Sequence, residues 1–501
     1  MRISRRSLLL GSAAAAGGGL LTACSGTSAS PSTGSVLPTP SPMSPMGGRR
    51  VVEHALKPRA ASVDLGGVAV DTWAFGDNVP GPLIRATAGD LLRITVENQL
   101  PADTSIHWHG IALSNAADGV PGLTQDPITP DSRFVYEFVA PDPGTYFYHP
   151  HVGVQLDRGL YAPLVIDDPA EPGDYDEEWI VVLDDWIDGT GKTPDDVLAS
   201  LVAAPSGSSG PMGGMEGMDM GSGSSMSGMD GMPMESSESP FGDAGDVKYP
   251  HYLINGRVAS SPDVLRARSG QRVRLRFINA AADTIFAVAV GGHSLSLTHA
   301  DGFPVEPRQA DAFYIGMGER YDAVVTLQDG VFPLVARPIG KDGRGFALIR
   351  TASGTAPAPD DAVAELNGPT LMGADLTPAE SARLPAQDVE QDLALTLTGQ
   401  MSPYEWAING VAYPDNDPLT LQPGKRVQIQ LSNMTMMAHP MHVHGHTFAL
   451  PNGLRKDTVL LKPMQKLAVQ LQADNPGNWM AHCHNVYHAE AGMMAALVYQ
   501  S

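Results

Sequence analysis

The residues best suited to chemistry close the chain: His482-Cys483-His484-Asn485-Val486-Tyr487-His488-Ala489-Glu490-Ala491-Gly492-Met493. One thiolate, three imidazoles and a thioether fall within twelve residues. Cysteine, two histidines and a weak methionine make up a copper electron-transfer site. Soft thiolate favours Cu(I), and imidazole suits copper. Here histidine also flanks the cysteine on both sides. Side chains alternate across a strand, so Cys483 can face one metal while His482 and His484 face others. Two metal sites would then be joined through a few covalent bonds.

Three further His-x-His pairs occur: His107-Trp108-His109-Gly110, His149-Pro150-His151 and His442-Val443-His444-Gly445. An internal repeat orders them. Gly89–Asn98, Gly270–Asn279 and Gly424–Asn433 each run nine residues from Gly to Asn with polar and apolar positions alternating, the pattern of a half-buried strand. An Ile-Asn-Gly turn precedes the second and third copies, at Asn255-Gly256 and Asn409-Gly410. Nine residues past each Asn stand His107, Val288 and His442. Later come Gly144-Thr145-Tyr146, Gly330-Val331-Phe332 and Gly477-Asn478-Trp479; five residues past each Gly stand His149, Val335 and His482. The outer copies thus carry paired histidines where the middle copy has Val288, Val290, Val335 and Arg337. Short strands and turns at this spacing predict an all-β chain of three sandwiches. They are expected at 51–168, 169–350 and 386–501, with a Pro/Ala-rich linker at 351–385.

The chain has 501 residues and a net charge of −23, which argues against a nucleic-acid partner. There are two cysteines, Cys24 and Cys483, so no structural disulfide is expected. Residues 1–24 read as a twin-arginine export signal (Ser4-Arg5-Arg6) ending in a lipoprotein-like box, Leu21-Thr22-Ala23-Cys24. Cys24 would carry a lipid that anchors the protein to the outer face of a bacterial cell membrane. Residues 25–50 form a Ser/Pro/Gly-rich tether. Cys483, a lone thiol in an oxidising compartment, needs an occupant, and a metal provides one.

Pro80-Gly81-Pro82-Leu83-Ile84-Arg85, the two His-x-His-Gly motifs, His439-Pro440-Met441 and the closing His-Cys-His segment occur in one order over the mature chain. In these motifs it resembles the three-domain multicopper oxidases, and among them the bacterial cell-envelope cuprous oxidases of copper resistance. The resemblance implies three consecutive cupredoxin-like Greek-key β-sandwich domains and four copper ions. Cys483, His439 and His488 would bind type 1 copper, with Met493 axial. His107 and His442 would bind type 2 copper. His109, His149, His151, His444, His482 and His484 would bind the type 3 pair. Asp118 would feed protons to the cluster. Some relatives carry a second carboxylate directly after the distal type 1 histidine; here Ala489 stands there and Glu490 follows.

The implied activity is oxidation of a one-electron donor coupled to reduction of O2 to water. Cu(I) is the expected donor; phenols and Fe(II) are others. Met212, Met215, Met218, Met220, Met226, Met229, Met232 and Met234 lie among Gly, Ser and acidic residues without apolar periodicity. This loop, 205–240, reads as a Cu(I)-binding segment of the middle domain. Met436 and Met437 are candidates to dock Cu(I) beside His439, although the cuprous oxidases add an aspartate where Thr435 stands. Met372 and Asp375 are further candidates. Competing readings are a general phenol-oxidising laccase, a non-catalytic copper-sequestering envelope protein and a copper nitrite reductase. The last fits the His-Cys-His flanking and the His-x-His pairs poorly. His54, His251, His293 and His299 read as structural, and His446 as a support behind His444. A monomer is expected.

Overall fold

The structure is a computed structural model that describes residues 49–171, 173–203 and 239–500. The export signal with Cys24, most of the tether, and Met212 to Met234 lie outside the described residues. Strands dominate, and no helix among the described residues is long and apolar enough to cross a membrane.

Three sandwiches follow one another. The first packs a three-stranded sheet and a hairpin around a four-stranded sheet. That four-stranded sheet holds Ile84–Thr87, Ala162–Asp167, Gly144–His149 and His107–His109, in that order. The second has sheets of seven and six strands, and the third has six and five. The repeated segments occupy equivalent places. Leu91–Glu97, Arg272–Asn279 and Arg426–Asn433 each pair in parallel with the first long strand of their sandwich and antiparallel with a later one. Alternation puts every second residue of these strands into the core: Leu92, Ile94 and Val96; Val273, Leu275 and Phe277; Val427, Ile429 and Leu431.

The Asn that ends each copy does one job three times. Its amide N–H groups reach two backbone carbonyls, and its oxygen accepts the N–H two residues on. A buried clamp of this kind satisfies loop backbone that water cannot reach. In the outer sandwiches the nearer carbonyl belongs to the fourth residue after the Asn, Ala102 or Met437; in the middle one it belongs to the fifth, Thr284.

That extra residue corrects the count made from sequence. His107 pairs with His149 across the sheet, and His442 with His482. In the middle sandwich Val335 faces Ala289, not Val288. The counterparts of His107 and His109 are therefore Ala289 and Gly291. A one-residue slip flips every side chain to the other face: Val288 and Val290 sit in the main core, as Trp108 does. Ala287, Ala289 and Val335 form a separate apolar layer with Val363 and Leu366. Those two residues belong to the 351–385 segment, which also adds Thr370–Leu371 as a strand to this sandwich.

Candidate metal centre

Cys483 ends the strand Asn478–Cys483. Two residues on, the Asn485 side chain accepts the N–H groups of Tyr487 and His488 and starts a single helical turn, Val486–Glu490. That turn brings His488 back beside Cys483. Cys483 Sγ lies 3.6 Å from His439 Nδ1 and 3.7 Å from His488 Nδ1, and the two nitrogens are 3.1 Å apart. Donors bound to one metal at roughly 2.0–2.3 Å sit about 3.5 Å apart in a trigonal array, which is the geometry of a His2Cys site. Met493 is fully buried, and its carbonyl accepts the Cys483 N–H at 3.0 Å.

The other side of the same strand meets the first sandwich. Ring nitrogens gather in three groups, each with its atoms within 4.8 Å of one another: His109, His149 and His484; His151, His444 and His482; His107, His109 and His442. All eight histidines expected to build a cluster are brought together, four from each outer sandwich.

The hydrogen bonding of these rings fits a metal and little else. One nitrogen of each of several rings is anchored: His107 Nδ1 to Asp118 O at 2.9 Å, His149 Nδ1 to Pro150 O at 2.9 Å, His442 Nδ1 to Asp457 O at 3.0 Å, and His482 Nδ1 to Cys483 O at 2.8 Å. The anchored nitrogen carries the proton, so the other presents a lone pair. Those other nitrogens, His107 Nε2, His149 Nε2 and His442 Nε2, are buried with no partner among the described residues, as are His109 Nδ1 and both ring nitrogens of His484. Orphaned buried nitrogens are costly unless something binds them. Burial first, then the neighbouring imidazoles, pushes His149, His151, His444 and His484 well below the usual histidine range and His482 down to about 3. Neutral rings are the form that ligates metal.

Asp118 is fully buried, with carboxylate oxygens 3.1 and 3.2 Å from His444 Nδ1. His446 Nδ1 bonds the His444 carbonyl at 3.1 Å, so it supports His444 as expected. His293 bonds backbone, at Gly291 O and the Gln328 N–H.

Two groups hold the outer nitrogens of the thiolate site's imidazoles, and one of them, Asp246, was not visible in sequence. Asp246 Oδ2 lies 2.9 Å from His488 Nε2 and also accepts the Tyr404 hydroxyl. The Asp246 carboxylate is the acceptor that faces the outer nitrogen of His488. Asp246 thus holds a proton at Nε2 and turns Nδ1 toward Cys483. Thr435 Oγ1 lies 2.8 Å from His439 Nε2. Asp246 lies 242 residues from its partner, and no local motif points to it.

Met436 is 66% exposed, whereas Met437 is buried. The segment that follows Met234 in sequence returns here: Phe241 O accepts the Ala438 N–H at 3.0 Å, and Gly242 and Asp243 bridge to Met437. Met372 packs against the apolar group of Phe241, Ala438 and Leu460, while Asp375 accepts the Met372 N–H at 2.8 Å.

Comparison with known proteins agrees with this geometry. The multicopper oxidase family pattern matches residues 59–171, 227–354 and 387–501. Multicopper oxidase MmcO of Mycobacterium tuberculosis is 46% identical over 458 residues, covering 90% of this chain and 87% of that protein. A copper resistance protein A homolog of Pseudomonas syringae is 30% identical, covering 86% and 89%. The crystal structure of a laccase from Botrytis aclada shares the fold, with a TM-score of 0.73 at 24% identity, covering 90% and 88%. With a histidine-rich junction between its outer sandwiches and matches along nearly its whole described length, this chain belongs to the multicopper oxidases, copper enzymes that couple oxidation of a reducing substrate to reduction of O2.

Proposed function

We propose that this multicopper oxidase is a cuprous oxidase that converts Cu(I) to Cu(II) and reduces O2 to water. In this reading Cys483, His439 and His488 would hold type 1 copper, with the buried Met493 as a weak thioether donor. His107 and His442 hold type 2 copper, and the groups His109, His149, His484 and His151, His444, His482 hold the type 3 pair. Four bound coppers store the four electrons that reduction of one O2 requires. Asp246 and Thr435 orient the two type 1 imidazoles, and Asp118 holds a carboxylate against His444 from which protons reach the cluster.

The approach to His439 carries the substrate assignment. Met436 stands exposed next to Thr435, whose hydroxyl touches His439, while Met437 is buried and Met372 packs against the apolar group that includes Ala438. Thioethers prefer Cu(I). His439 and His488 are themselves fully buried, and Asp246 occupies the outer nitrogen of His488. A phenol ring finds no open imidazole edge; a small cation needs only donor side chains. The methionines at 212–234 extend the thioether supply, and the relatives named for copper resistance point the same way.

Steady-state O2 consumption with Cu(I), Fe(II) and a phenol tests the assignment. Cu(I) should give the highest specificity constant; a higher value for the phenol would overturn it. Deleting residues 205–238, while keeping the packed Phe241 segment, should slow Cu(I) oxidation more than phenol oxidation. Cys483→Ser should abolish the blue colour and turnover while leaving most cluster ligands in place, and a blue, active variant would refute the whole reading. We also propose twin-arginine export and a lipid anchor at Cys24. Cys24→Ser should then release the protein from the membrane fraction.

A further inference from the structure

The middle sandwich holds none of the gathered ring nitrogens, yet it reaches the cluster through a buried ion pair. Asp457 and Thr458, from the third sandwich, touch one histidine of each outer sandwich. Asp457 Oδ1 lies 3.2 Å from His109 Nε2, and its backbone carbonyl accepts His442 Nδ1 at 3.0 Å. Thr458 Oγ1 lies 3.1 Å from each of those same two ring nitrogens. These two residues therefore fix the rotation and tautomer of His109 and His442.

The middle sandwich grips this dipeptide from behind. Arg320 donates a two-pronged pair of bonds to the Asp457 carboxylate, at 2.7 and 2.5 Å. Its remaining donors reach Gly318 O at 2.8 Å and Thr145 O, in the first sandwich, at 3.1 Å. Asp301 accepts the backbone N–H groups of Asp457 and Thr458 at 3.3 and 3.2 Å, and that of Arg320 at 2.9 Å. Lys456 Nζ balances it at 3.1 Å. Asp301 and Arg320 are fully buried, and Asp301 holds φ at +45°. A non-glycine residue held there marks a site that its surroundings over-determine. Gly318 lies so close that a Cβ would meet His484 and His109 at 2.8 and 3.0 Å. The glycine of His107-Trp108-His109-Gly110 has its reason here too: a Cβ at Gly110 would collide with Arg320 and Asp457.

We propose that Arg320 and Asp301 are positioning residues for the histidine cluster, acting through Asp457 and Thr458, so that the copper-free sandwich sets the O2-reducing end of the reaction. The proposal rests on reading the eight histidines as a trinuclear copper cluster. A rigid guanidinium fork fixes a carboxylate in a way a flexible ammonium cannot, and loss of such outer partners costs roughly 10- to 100-fold in activity or metal affinity.

The test uses the copper-loaded holoenzyme with Arg320→Met, Arg320→Lys and Asp301→Asn. Total copper, blue absorption, the type 2 copper spin-resonance signal, the rate of reduction by substrate and the rate of reoxidation by O2 are measured for each. Arg320→Met should leave blue absorption and substrate reduction near wild type. It should shift the type 2 signal and slow reoxidation about tenfold or more. Arg320→Lys should restore part of the reoxidation rate, and Asp301→Asn should shift the type 2 signal without bleaching the blue site. Unchanged type 2 signal and reoxidation in folded Arg320→Met would overturn the proposal. So would a uniform loss of both copper sites in all three variants, because that is a folding effect. If wild type shows no type 2 signal and no reoxidation, the cluster reading itself has failed, which is a different result.

Discussion

The middle sandwich and its two neighbours share one framework and fill it differently. At equivalent strand positions the outer copies present His107, His109, His149, His442, His444 and His482, and the middle copy presents Ala289, Gly291 and Val335. The outer copies close their faces on each other around imidazoles. The middle copy closes its face with Val363 and Leu366 of the connecting segment. Its charged residues went elsewhere, into buried pairs such as Asp322 with Arg274 and Arg276. The fold therefore does not require the metal-binding residues. They are a substitution on one face of a strand pair that an apolar layer fills equally well.

Exchanging the fillings is the strongest way to break this comparison. His149→Val gives the first sandwich the residue of the middle one. O2 consumption should fall more than about a hundredfold, beyond the loss expected for an outer partner, and copper content should drop. The thermal midpoint should hold, because an apolar side chain replaces an orphaned buried nitrogen. The reverse exchange, Val335→His, should bind no extra copper, since Ala287, Ala289, Val363 and Leu366 surround it with no second donor. An added copper in that variant would show that the apolar layer is not what excludes metal.

Next in size come the pairs peculiar to the middle sandwich. Asp322 accepts Arg274 at 2.6 Å, Arg276 at 3.1 Å and the Thr145 hydroxyl at 2.7 Å, all buried. Asp322→Asn should cost about 1.5–3 kcal/mol, because Arg274 and Arg276 each lose one carboxylate partner and keep another, Glu171 and Glu178, while the blue absorption of folded protein stays. Chemical denaturation reads the first and absorbance the second; loss of colour from folded protein would tie this network to the thiolate site. Acid should reproduce part of the effect. Burial alone would raise the Asp322 carboxyl, but Arg274 and Arg276 outweigh it and hold it at about 2, below its ordinary 3.8. A depressed carboxyl stabilises the fold above its unfolded value and loses that contribution as pH falls through the folded one. About 2.5 kcal/mol should therefore vanish between about pH 4 and pH 2, and the Asn variant should lack that component of the acid transition.

How far the sequence reveals all this follows the same divide. Alternation and the Gly-to-Asn repeat show three sandwiches because they are local patterns. The His-x-His pairs and the Cys483 segment show a metal centre because ligand chemistry restricts residue type. Asp246, Asp301, Arg320 and Asp457 stay hidden. Aspartate and arginine are common on any surface, and their partners lie more than a hundred residues away in another sandwich. The slip at Val288 stayed hidden for another reason: one extra loop residue after Asn279 leaves the alternation intact and reverses only the face.

The finest contrast lies in two identical turns. Ile-Asn-Gly forms the same bend in the middle and third sandwiches. Asn255 and Gly256 have φ of +52° and +72°, and Asn409 and Gly410 have +56° and +80°, the two positive values of a tight hairpin turn that favours Asn-Gly. Backbone alone therefore predicts the same loss for alanine at either glycine, about 1–2 kcal/mol for the left-handed conformation. The surroundings differ. A Cβ on Gly410 meets nothing within 4 Å, whereas one on Gly256 would sit 1.7 Å from the Val79 carbonyl oxygen of the first sandwich. Gly256→Ala must push the two sandwiches apart and should cost roughly 1–3 kcal/mol more than Gly410→Ala. Urea unfolding of the two single variants measures the difference. Equal losses would mean that the contact with Val79 yields freely, so that the middle sandwich is held to the first by its ion pairs and not by this close approach of backbone.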